Sequence, residues 1–597
     1  MSSINHGSDS KHIPERVASP SADSTAIKTG SLEYIAEQGG NGSLPTYQEA
    51  SGAPVESYSP LGYKVKWFTI IFLNIGQMIG TGVFSTPASI LSGTGSVGLS
   101  LMYWFIGFII SSCALGVYLE LASYFPARSG AEVVYLEQAY PRPKYFFPVT
   151  FAVQTVILSF SSSNAVVLAQ YVFRMTDREG TDWEMKGVAV AGYTLAVILL
   201  IANNRLSLWL SDIIGFIKVA TLVLYVQSNP SHTPKNKWAH IDQNNSISIT
   251  GLVILGGNTK IADPKANFHN AFEGTTGNGY GLANALVKIT FAYSGYQNAF
   301  NVMNEIKDPV KTIKKSAPIS LLIVAILYVL CNVAYFAAVP KADILESEQV
   351  AASIFFTAIF GEKAAKGLNI LIVLSAFGNL VSVLIGQSRV IREVGRQGVL
   401  PWPAFWATTR PFGTPIGPYL LKWGMTVLMI LAPPAGDAFN FVVDLQTYPN
   451  AIFYFLMTAG LYLIRRQRAR IGVGRSEFRC WDVAAVFYLL VNVFLLVMPW
   501  YPPEGGATGG DVSFWYATYC VVGIGIILIC AFYYWVWIYL LPRLGSYAMR
   551  QRVLQLPDGA ITHQLVKVPN AELEQWDAEH DALGNTRNGD TVEPHKV

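Results

Sequence analysis

Charged residues are scarce in this chain of 597 residues: Asp, Glu, Lys and Arg make up 14% of it, whereas 51% of its residues are hydrophobic. A soluble globular chain carries about 25% charged residues. The composition therefore excludes an ordinary soluble protein and indicates one that crosses a membrane several times. The formal net charge is only +3, and the basic residues are spread over many loops. No nucleic-acid partner is expected, because such proteins gather their basic residues on one face.

Cysteine is also scarce. The five cysteines lie in or beside apolar runs without paired metal-ligand spacing, so we expect neither a disulfide framework nor a metal site. The chain has no Walker loop, no nucleophile elbow and no cluster of metal ligands. These absences argue against hydrolysis and ATP-driven pumping. We therefore expect no enzyme activity and no cofactor.

Long apolar runs, by contrast, fill most of the chain. Runs of about 18 or more residues are candidates for membrane-spanning helices, and we predict an all-α membrane protein with twelve of them. The predicted spans are 67–92, 97–124, 147–173, 187–203, 206–226, 281–304, 316–339, 366–388, 416–434, 439–464, 482–500 and 514–541. No apolar run precedes Trp67, so we expect the first span to act as the targeting signal.

The predicted organisation has a central transport unit between two polar tails. Residues 1–60 are predicted to be a disordered tail and 545–597 a second tail, because neither segment can bury enough apolar surface to fold alone. Residues 61–464 form the predicted core, and 465–544 add two spans. Loops on the side of the first tail carry 18 Lys and Arg residues, against 10 in the opposite loops. We therefore predict that both termini are cytoplasmic.

Two of the predicted spans contain glycine interruptions, 79–83 in the first and 291–296 in the sixth. A helix that stops inside a bilayer survives only where its freed polar groups face a cavity or a ligand. Breaks in corresponding halves indicate the binding site of an inverted-repeat transporter. The residues that we expect to bind the substrate are Ile79, Gly80, Thr81, Gly82 and Val83 in the first span and Phe291, Ala292, Ser294, Gly295 and Tyr296 in the sixth.

The two breaks offer complementary chemistry. Gly80 and Gly82 let the first break turn its N–H groups inward beside the positive end of a half-helix, which suits a carboxylate. The freed carbonyls of Phe291, Ala292 and Ser294 suit an ammonium group. We interpret the pair as a clamp for an amino acid. The alternative interpretation is that these glycines only allow close packing of helices.

The same segments resemble the signatures of the L-type amino acid transporter branch of the amino acid-polyamine-organocation superfamily. The resemblance covers about 62–541 and is carried by 79–87, 125–136, 291–309 and 388–401. Within that branch the chain is most similar to fungal high-affinity methionine permeases. The resemblance implies a leucine-transporter-like fold of five plus five inverted repeats, with broken helices 1 and 6 and two extra spans.

The resemblance also implies a function. We expect a secondary active transporter that imports neutral L-amino acids, methionine first, across the plasma membrane by alternating access with proton coupling. The alternatives are an exchanger without proton coupling and a nutrient sensor with a transporter-like fold. Ser294 and Tyr296 stand where the branch commonly has Gly and Trp, which leaves substrate choice open. No cysteine lies between spans 3 and 4, so we expect no bound heavy subunit.

Lys218 is the predicted proton-coupling residue, because it places an ammonium group well inside span 5. Intramembrane charges are costly and typically functional, and in proton-coupled relatives a lysine on this helix occupies the place of a sodium ion. The alternatives are a permanently charged strut and a side chain that reaches the interface. Lys288 in span 6 could line the external vestibule, pair with an acid or face water near the outer mouth. For Glu120 and Asp444, the further candidates for a proton relay, we favour structural ion pairs. Glu305, with the basic run after it, is predicted to latch the cytoplasmic gate.

Overall fold

Helices make up most of the regular structure in the described part of the chain. The computed structural model describes residues 52–587 apart from 57, 159, 177, 179, 224–251, 253, 257–260, 262, 348–349, 433–437, 504, 511 and 582, together with 27–29, 32–37 and 46–49. Between 61 and 545 the described residues contain no strand. The all-α prediction is thus confirmed for the apolar region.

The helices of the apolar region follow one another with short connections. In chain order they are α1 (Trp67–Met78), α2 (Gly82–Ser85), α3 (Pro87–Thr94), α4 (Val97–Tyr124), α5 (Glu132–Ala139), α6 (Phe146–Ile157), α7 (Ser162–Thr176), α8 (Asp182–Ala202), α9 (Asn204–Val223), α10 (Gly279–Tyr293), α11 (Pro309–Ala338), α12 (Lys341–Glu346), α13 (Ala351–Phe360), α14 (Glu362–Arg396), α15 (Pro403–Ala407), α16 (Ile416–Leu431), α17 (Ala438–Arg470), α18 (Asp482–Val497), α19 (Thr518–Trp535) and α20 (Leu541–Gly545).

Eight helical segments are long and apolar enough to cross a membrane. They are Trp67–Ser85, Val97–Tyr124, Phe146–Thr176, Asp182–Ala202, Pro309–Ala338, Glu362–Arg396, Asp482–Trp500 and Thr518–Gly545. Each coincides with one of the predicted spans. The other four predicted spans fall on helices α9, α10, α16 and α17. The chain is therefore a helical membrane protein that crosses the bilayer several times.

Both glycine interruptions are real breaks in helices. Helix α1 ends at Met78, where Ile79 leaves the helical conformation (φ −76°, ψ 75°) and the N–H of Gly80 donates to Met78 O at 2.8 Å. Helix α10 ends at Tyr293, and a 3₁₀ helix continues at Asn298–Glu305. Between them Gly295 has a φ of 137°, a conformation that favours glycine because it has no Cβ.

The packing of the helices brings the two breaks together. Helix α1 packs against α9, α11 and α14, and it also contacts the 3₁₀ helix after the second break. Helix α2, which follows the first break, packs against α10. The buried apolar side chains of these helices form one large cluster, so the breaks lie inside the packed interior, away from lipid.

The described parts of both tails contain strands. Three short strands, β1 (Ile27–Thr29), β2 (Leu32–Glu37) and β3 (Thr46–Glu49), pair antiparallel in the first tail. In the second tail β4 (Tyr547–Gln555) pairs with β5 (Ile561–Pro569), and helix α21 spans Leu573–Glu579. Strands thus lie within the segment 1–60 that is predicted to be disordered, and Gln48 and Glu56 of this segment contact Arg128 and Arg392 of the helical region.

The contacts between the tails and the core converge on the end of α14. The Glu56 carboxylate lies 2.7 Å from the Arg392 guanidinium and the Arg396 Nε donates to Ile561 O at 2.9 Å. Nearby, the Asp558 carboxylate accepts from the N–H of Thr409 at 2.7 Å. Desolvation of the Asp558 carboxyl opposes its ionisation, but its hydrogen bonds outweigh this effect and lower its pKa.

Candidate functional site

A cavity of about 200 Å³ lies where the two breaks face each other. Its wall includes five of the residues predicted to bind substrate: Gly80, Thr81, Gly82, Phe291 and Ser294. The structure therefore brings together, around one cavity, two segments that lie about 200 residues apart in the sequence.

The other five predicted residues lie behind the cavity wall. They are Ile79, Val83, Ala292, Gly295 and Tyr296, and all five are buried. Tyr296 packs edge-on against Tyr118, with ring centroids 5.9 Å apart.

Three glycines of the breaks lie where another backbone or a side chain comes too close to leave room for a Cβ atom. A Cβ on Gly82 would lie 2.9 Å from Ala292 Cα, and one on Gly295 would lie 2.8 Å from Met78 N. A Cβ on Gly80 would lie 2.2 Å from the amide nitrogen of Asn379. The glycines thus let the two broken helices touch, which adds a reason for their presence beyond the freedom to unwind.

The first break frees four successive carbonyl groups, and each has a hydrogen-bond donor from another helix. Lys218 Nζ on α9 donates to Gly76 O at 2.7 Å and to Ile79 O at 2.6 Å. The Asn379 amide on α14 donates to Gln77 O. Tyr328 Oη on α11 lies 2.5 Å from Met78 O. All the acceptors that a continuous helix would have used internally are thus satisfied at the break.

Lys218 supplies the amine of this set. Its side chain is 2% exposed, and its Nζ donates to two carbonyls of the first break. This side chain, bound by backbone oxygens, joins α9 to the unwound part of the first span.

Backbone N–H groups that can donate hydrogen bonds lie just after the first break, at the start of the following half-helix. The hydrogen bonds of the following half-helix begin with Phe84 and Ser85, whose N–H groups both donate to Thr81 O, at 3.1 and 2.8 Å. The N–H groups of Thr81, Gly82 and Val83 therefore lie at its amino-terminal end, where a helix has orphan donors. The Thr81 hydroxyl donates to Asn164 Oδ1 at 2.7 Å, which fixes this end of the cavity.

Comparison with known proteins agrees with this geometry. The family profile described as amino acid permease matches residues 65–527. The chain belongs to the amino acid permease family. It is 35% identical to the high-affinity methionine permease of Saccharomyces cerevisiae over 522 residues, which is 86% of each protein. It is 25% identical to the low-affinity methionine permease of the same yeast, over 85% of this chain and 89% of that protein.

A further relative lies in mammals. The permease is 25% identical to the mouse b(0,+)-type amino acid transporter 1 over 436 residues, which covers 72% of this chain and 81% of that protein. The family membership confirms the predicted resemblance. The permease is an amino acid transporter in the membrane and not an enzyme.

The rest of the permease cavity wall includes amide side chains that sequence reasoning missed. Gln154 donates to Asn450 Oδ1 at 3.1 Å, and Gln446 donates to Phe160 O at 2.6 Å. Lys422 on α16 also lies in this wall and is 2% exposed. The sequence signal that could have found them is their position inside apolar runs, because amides at membrane depth seldom face lipid.

Three buried ion pairs hold the permease helices around this cavity. Lys288 on α10 lies 2.7 Å from Asp444 on α17, and both side chains are at most 1% exposed. Glu120 on α4 lies 2.7 Å from Arg465. The structural ion-pair interpretation is thus confirmed for these residues, because each charge contacts an opposite one.

The third ion pair involves Glu305, whose role as a latch of the cytoplasmic gate stays a prediction. Glu305 lies 2.8 Å from Arg389 on α14, and Asn204 on α9 donates to the same carboxylate at 3.4 Å. The contact joins the end of the sixth predicted span to α9 and α14.

Proposed function

We propose that this permease imports neutral L-amino acids, methionine in particular, across the plasma membrane by alternating access coupled to protons. The observation that carries the proposal is the meeting of two broken helices at one buried cavity. Residues of the first break line one side of it and residues of the second break line the other. An α-amino acid presents the matching charges, a carboxylate and an ammonium group, at fixed separation.

In this proposal the carboxylate binds the N–H groups of Thr81, Gly82 and Val83, where the positive end of a half-helix favours an anion. The ammonium group binds carbonyls of the second break, including Phe291. The substrate side chain then faces the part of the cavity near Ser294. Backbone recognition of the two charged groups would serve all L-amino acids alike, so side-chain preference depends on the rest of the wall.

Methionine is the proposed substrate because two relatives carry that name, one of them at 35% identity over 86% of the chain. The proposed architecture is twelve spans with the first ten in a five plus five inverted repeat and both termini cytoplasmic. The broken first and sixth spans occupy corresponding positions in the two repeats, as inverted-repeat transporters require.

Proton coupling is proposed for Lys218. Its ammonium group bridges α9 and the first break through Gly76 and Ile79. If the amine releases its proton, both carbonyls lose a charged donor, and the contact between α9 and the broken span weakens. The protonation of one side chain would then be linked to the relative position of two helices.

Uptake into proteoliposomes tests the proposal. The purified permease should accumulate labelled L-methionine against a gradient when the outside is acidic, and an excess of unlabelled methionine should compete better than leucine or phenylalanine. Exchange without dependence on the pH gradient would support the exchanger instead. Binding of methionine without accumulation or exchange would support the sensor.

A further inference from the structure

Glu132, the first residue of α5, is the only acidic residue in the cavity wall within the described part of the chain. It is 8% exposed, and its carboxylate accepts a hydrogen bond from the Tyr118 hydroxyl on α4. It lies in the connection between the second and third predicted spans. The roles proposed so far leave this buried carboxyl group unused.

Glu132 differs from the other buried acids in its lack of a counter-ion. Six further buried acids lie in the described part of the chain, and each has a lysine or an arginine at 2.6 to 3.5 Å: Glu56, Glu120, Glu137, Glu305, Glu393 and Asp444. Among the described residues Glu132 has a tyrosine hydroxyl as its side-chain partner and no basic residue. A buried charge without a counter-ion is costly, so such a group tends to become neutral.

The elements around Glu132 supply no charge that could stabilise its ionised form. The titratable side chains that interact electrostatically with it are Tyr118, Tyr135, Tyr296, Tyr454 and Tyr488, and tyrosine is neutral at physiological pH. Helix α6, which packs against α5, carries no titratable residue. Helix α14 contributes Glu393, whose carboxylate is held by Arg128 and Arg396. Lys422 lines the same cavity from α16 but is not paired with Glu132.

The backbone immediately before Glu132 is strained. Gly130 has a φ of 88°, and Ala131 has a φ of 40° and a ψ of −101°. A residue with a Cβ seldom adopts such a conformation, and it persists only where the surroundings enforce it. Here Ala131 is 1% exposed, and its carbonyl accepts from the N–H groups of Val134 and Tyr135 at 3.0 Å each. Strain of this kind is typical of functional positions.

We infer that Glu132 binds a proton when the cavity closes around it and releases that proton to water when the cavity opens. Burial raises the pKa of this carboxyl, and the opposing hydrogen bonds from Tyr118 and from its own N–H do not outweigh burial. The neutral acid can be buried without a counter-ion, whereas entering water solvates the ionised form. The inference rests on the proposed alternating access and adds a second proton site to Lys218.

Infrared spectroscopy of the purified full-length permease at about pH 6 tests the inference, because a protonated carboxyl group has its own C=O band. An exposed glutamate has a pKa near 4.5 and is ionised at this pH. The spectrum of the wild type minus that of Glu132→Gln should show the band of one protonated carboxyl group. The matched control is Glu137→Gln, on the same helix, where Glu137 pairs with Arg128 at 3.5 Å; its difference spectrum should lack the band. Absence of the band for Glu132→Gln overturns the inference.

Tyr118→Phe supplies a second measurement, which decides the matter if Glu132→Gln does not fold. Its ring stays, but the hydroxyl that donates to the Glu132 carboxylate is lost. Because that hydrogen bond favours the ionised form, the pH at which the band disappears should rise by about one to two units. An unchanged pH midpoint overturns the inference.

Exchange of methionine in proteoliposomes separates this inference from the proposed function. Raising the pH should slow exchange by the wild type, because closing the cavity requires protonated Glu132, by up to about tenfold for each pH unit above its midpoint. Glu132→Gln is permanently neutral and should lose this part of the pH dependence, while Lys218 contributes equally to both proteins. An unchanged pH dependence in Glu132→Gln overturns the inference alone. If the wild type neither binds nor exchanges methionine, the proposed function fails, and the infrared band then decides whether Glu132 holds a proton.

Discussion

Replacing Lys218 with methionine should abolish proton-driven accumulation while leaving the permease folded. Methionine keeps an unbranched side chain in the space between α9 and the first break but has no charge and no donor. The variant loses two charge-assisted hydrogen bonds, of 2.7 and 2.6 Å, each worth about 1.5–3 kcal/mol. It also avoids the burial of an ammonium group, which costs several kcal/mol. The two changes oppose each other, so we expect a net loss of stability of only a few kcal/mol.

The effect on transport should be larger than the effect on stability. One pH unit across the membrane corresponds to about 1.4 kcal/mol, or a factor of ten in accumulation for each coupled proton. With an inside-alkaline gradient of about one unit, wild-type proteoliposomes should therefore concentrate methionine up to about tenfold. Lys218→Met should stay near equal concentrations. Exchange of internal for external methionine should survive, because the proposed clamp consists of backbone groups.

The control for this experiment is Lys186→Met. Lys186 also donates to a carbonyl, Leu431 O at 2.9 Å, but it does so at an exposed position far from the breaks in sequence. This variant should accumulate methionine like the wild type. The reasoning is refuted if Lys218→Met still concentrates substrate when the gradient is imposed; Lys218 would then be a strut, and the coupled proton would use another group.

Three more predictions concern packing, charge and pH. Gly82→Val should abolish uptake but leave surface expression normal, because its Cβ would lie 2.9 Å from the backbone of Ala292. The control is Gly424→Val, where a Cβ meets open space; this variant should retain uptake. Lys288→Met should destabilise the permease by about 3–5 kcal/mol in thermal unfolding, and adding Asp444→Asn should recover most of the loss. Burial lowers the pKa of His563 in β5 to about 3, whereas an exposed histidine has a pKa near 6.5. The undocked strand therefore binds a proton that the docked strand does not, so lowering the pH from 7.5 to 5.5 should weaken docking of β5 by about 1.4 kcal/mol. Protease cleavage of the hairpin should increase accordingly, and His563→Gln should remove the pH dependence.

The breaks could be predicted from the sequence because glycine inside an apolar run is a local signal. Gly80 and Gly82 mark an interruption wherever the rest of the chain packs. The same holds for Lys218, since a lysine about 12 residues inside a span must find polar partners. Which partners it finds depends on tertiary structure, and the carbonyls of Gly76 and Ile79 could not be read from the sequence.

Residues that act through contacts between distant segments had no local signal. Tyr328 is one tyrosine among 30, and its position in an apolar run is typical of a packing residue. Similarly, Tyr296 is a predicted substrate-binding residue that packs against Tyr118 and is absent from the cavity wall. Residues 1–60 are predicted to be disordered because they are polar, and within them Glu56 is 5% exposed. Its burial depends on arginines more than 300 residues away.

The distribution of donors around the first break has a consequence for the transport cycle. Tyr328 bonds to both breaks and packs against Trp104 and Tyr293, so it ties α11, α4 and both broken spans into one unit. Lys218 and Asn379 reach the same unwound segment from α9 and α14. If the two breaks move together as one body, the contacts of Tyr328 must be preserved. The contacts that Lys218 and Asn379 make with the first break can then be broken and re-formed. Lys218, which supplies the amine in this set of donors, is thus at a contact that can open, which is where a coupled proton would change the energy of the motion most.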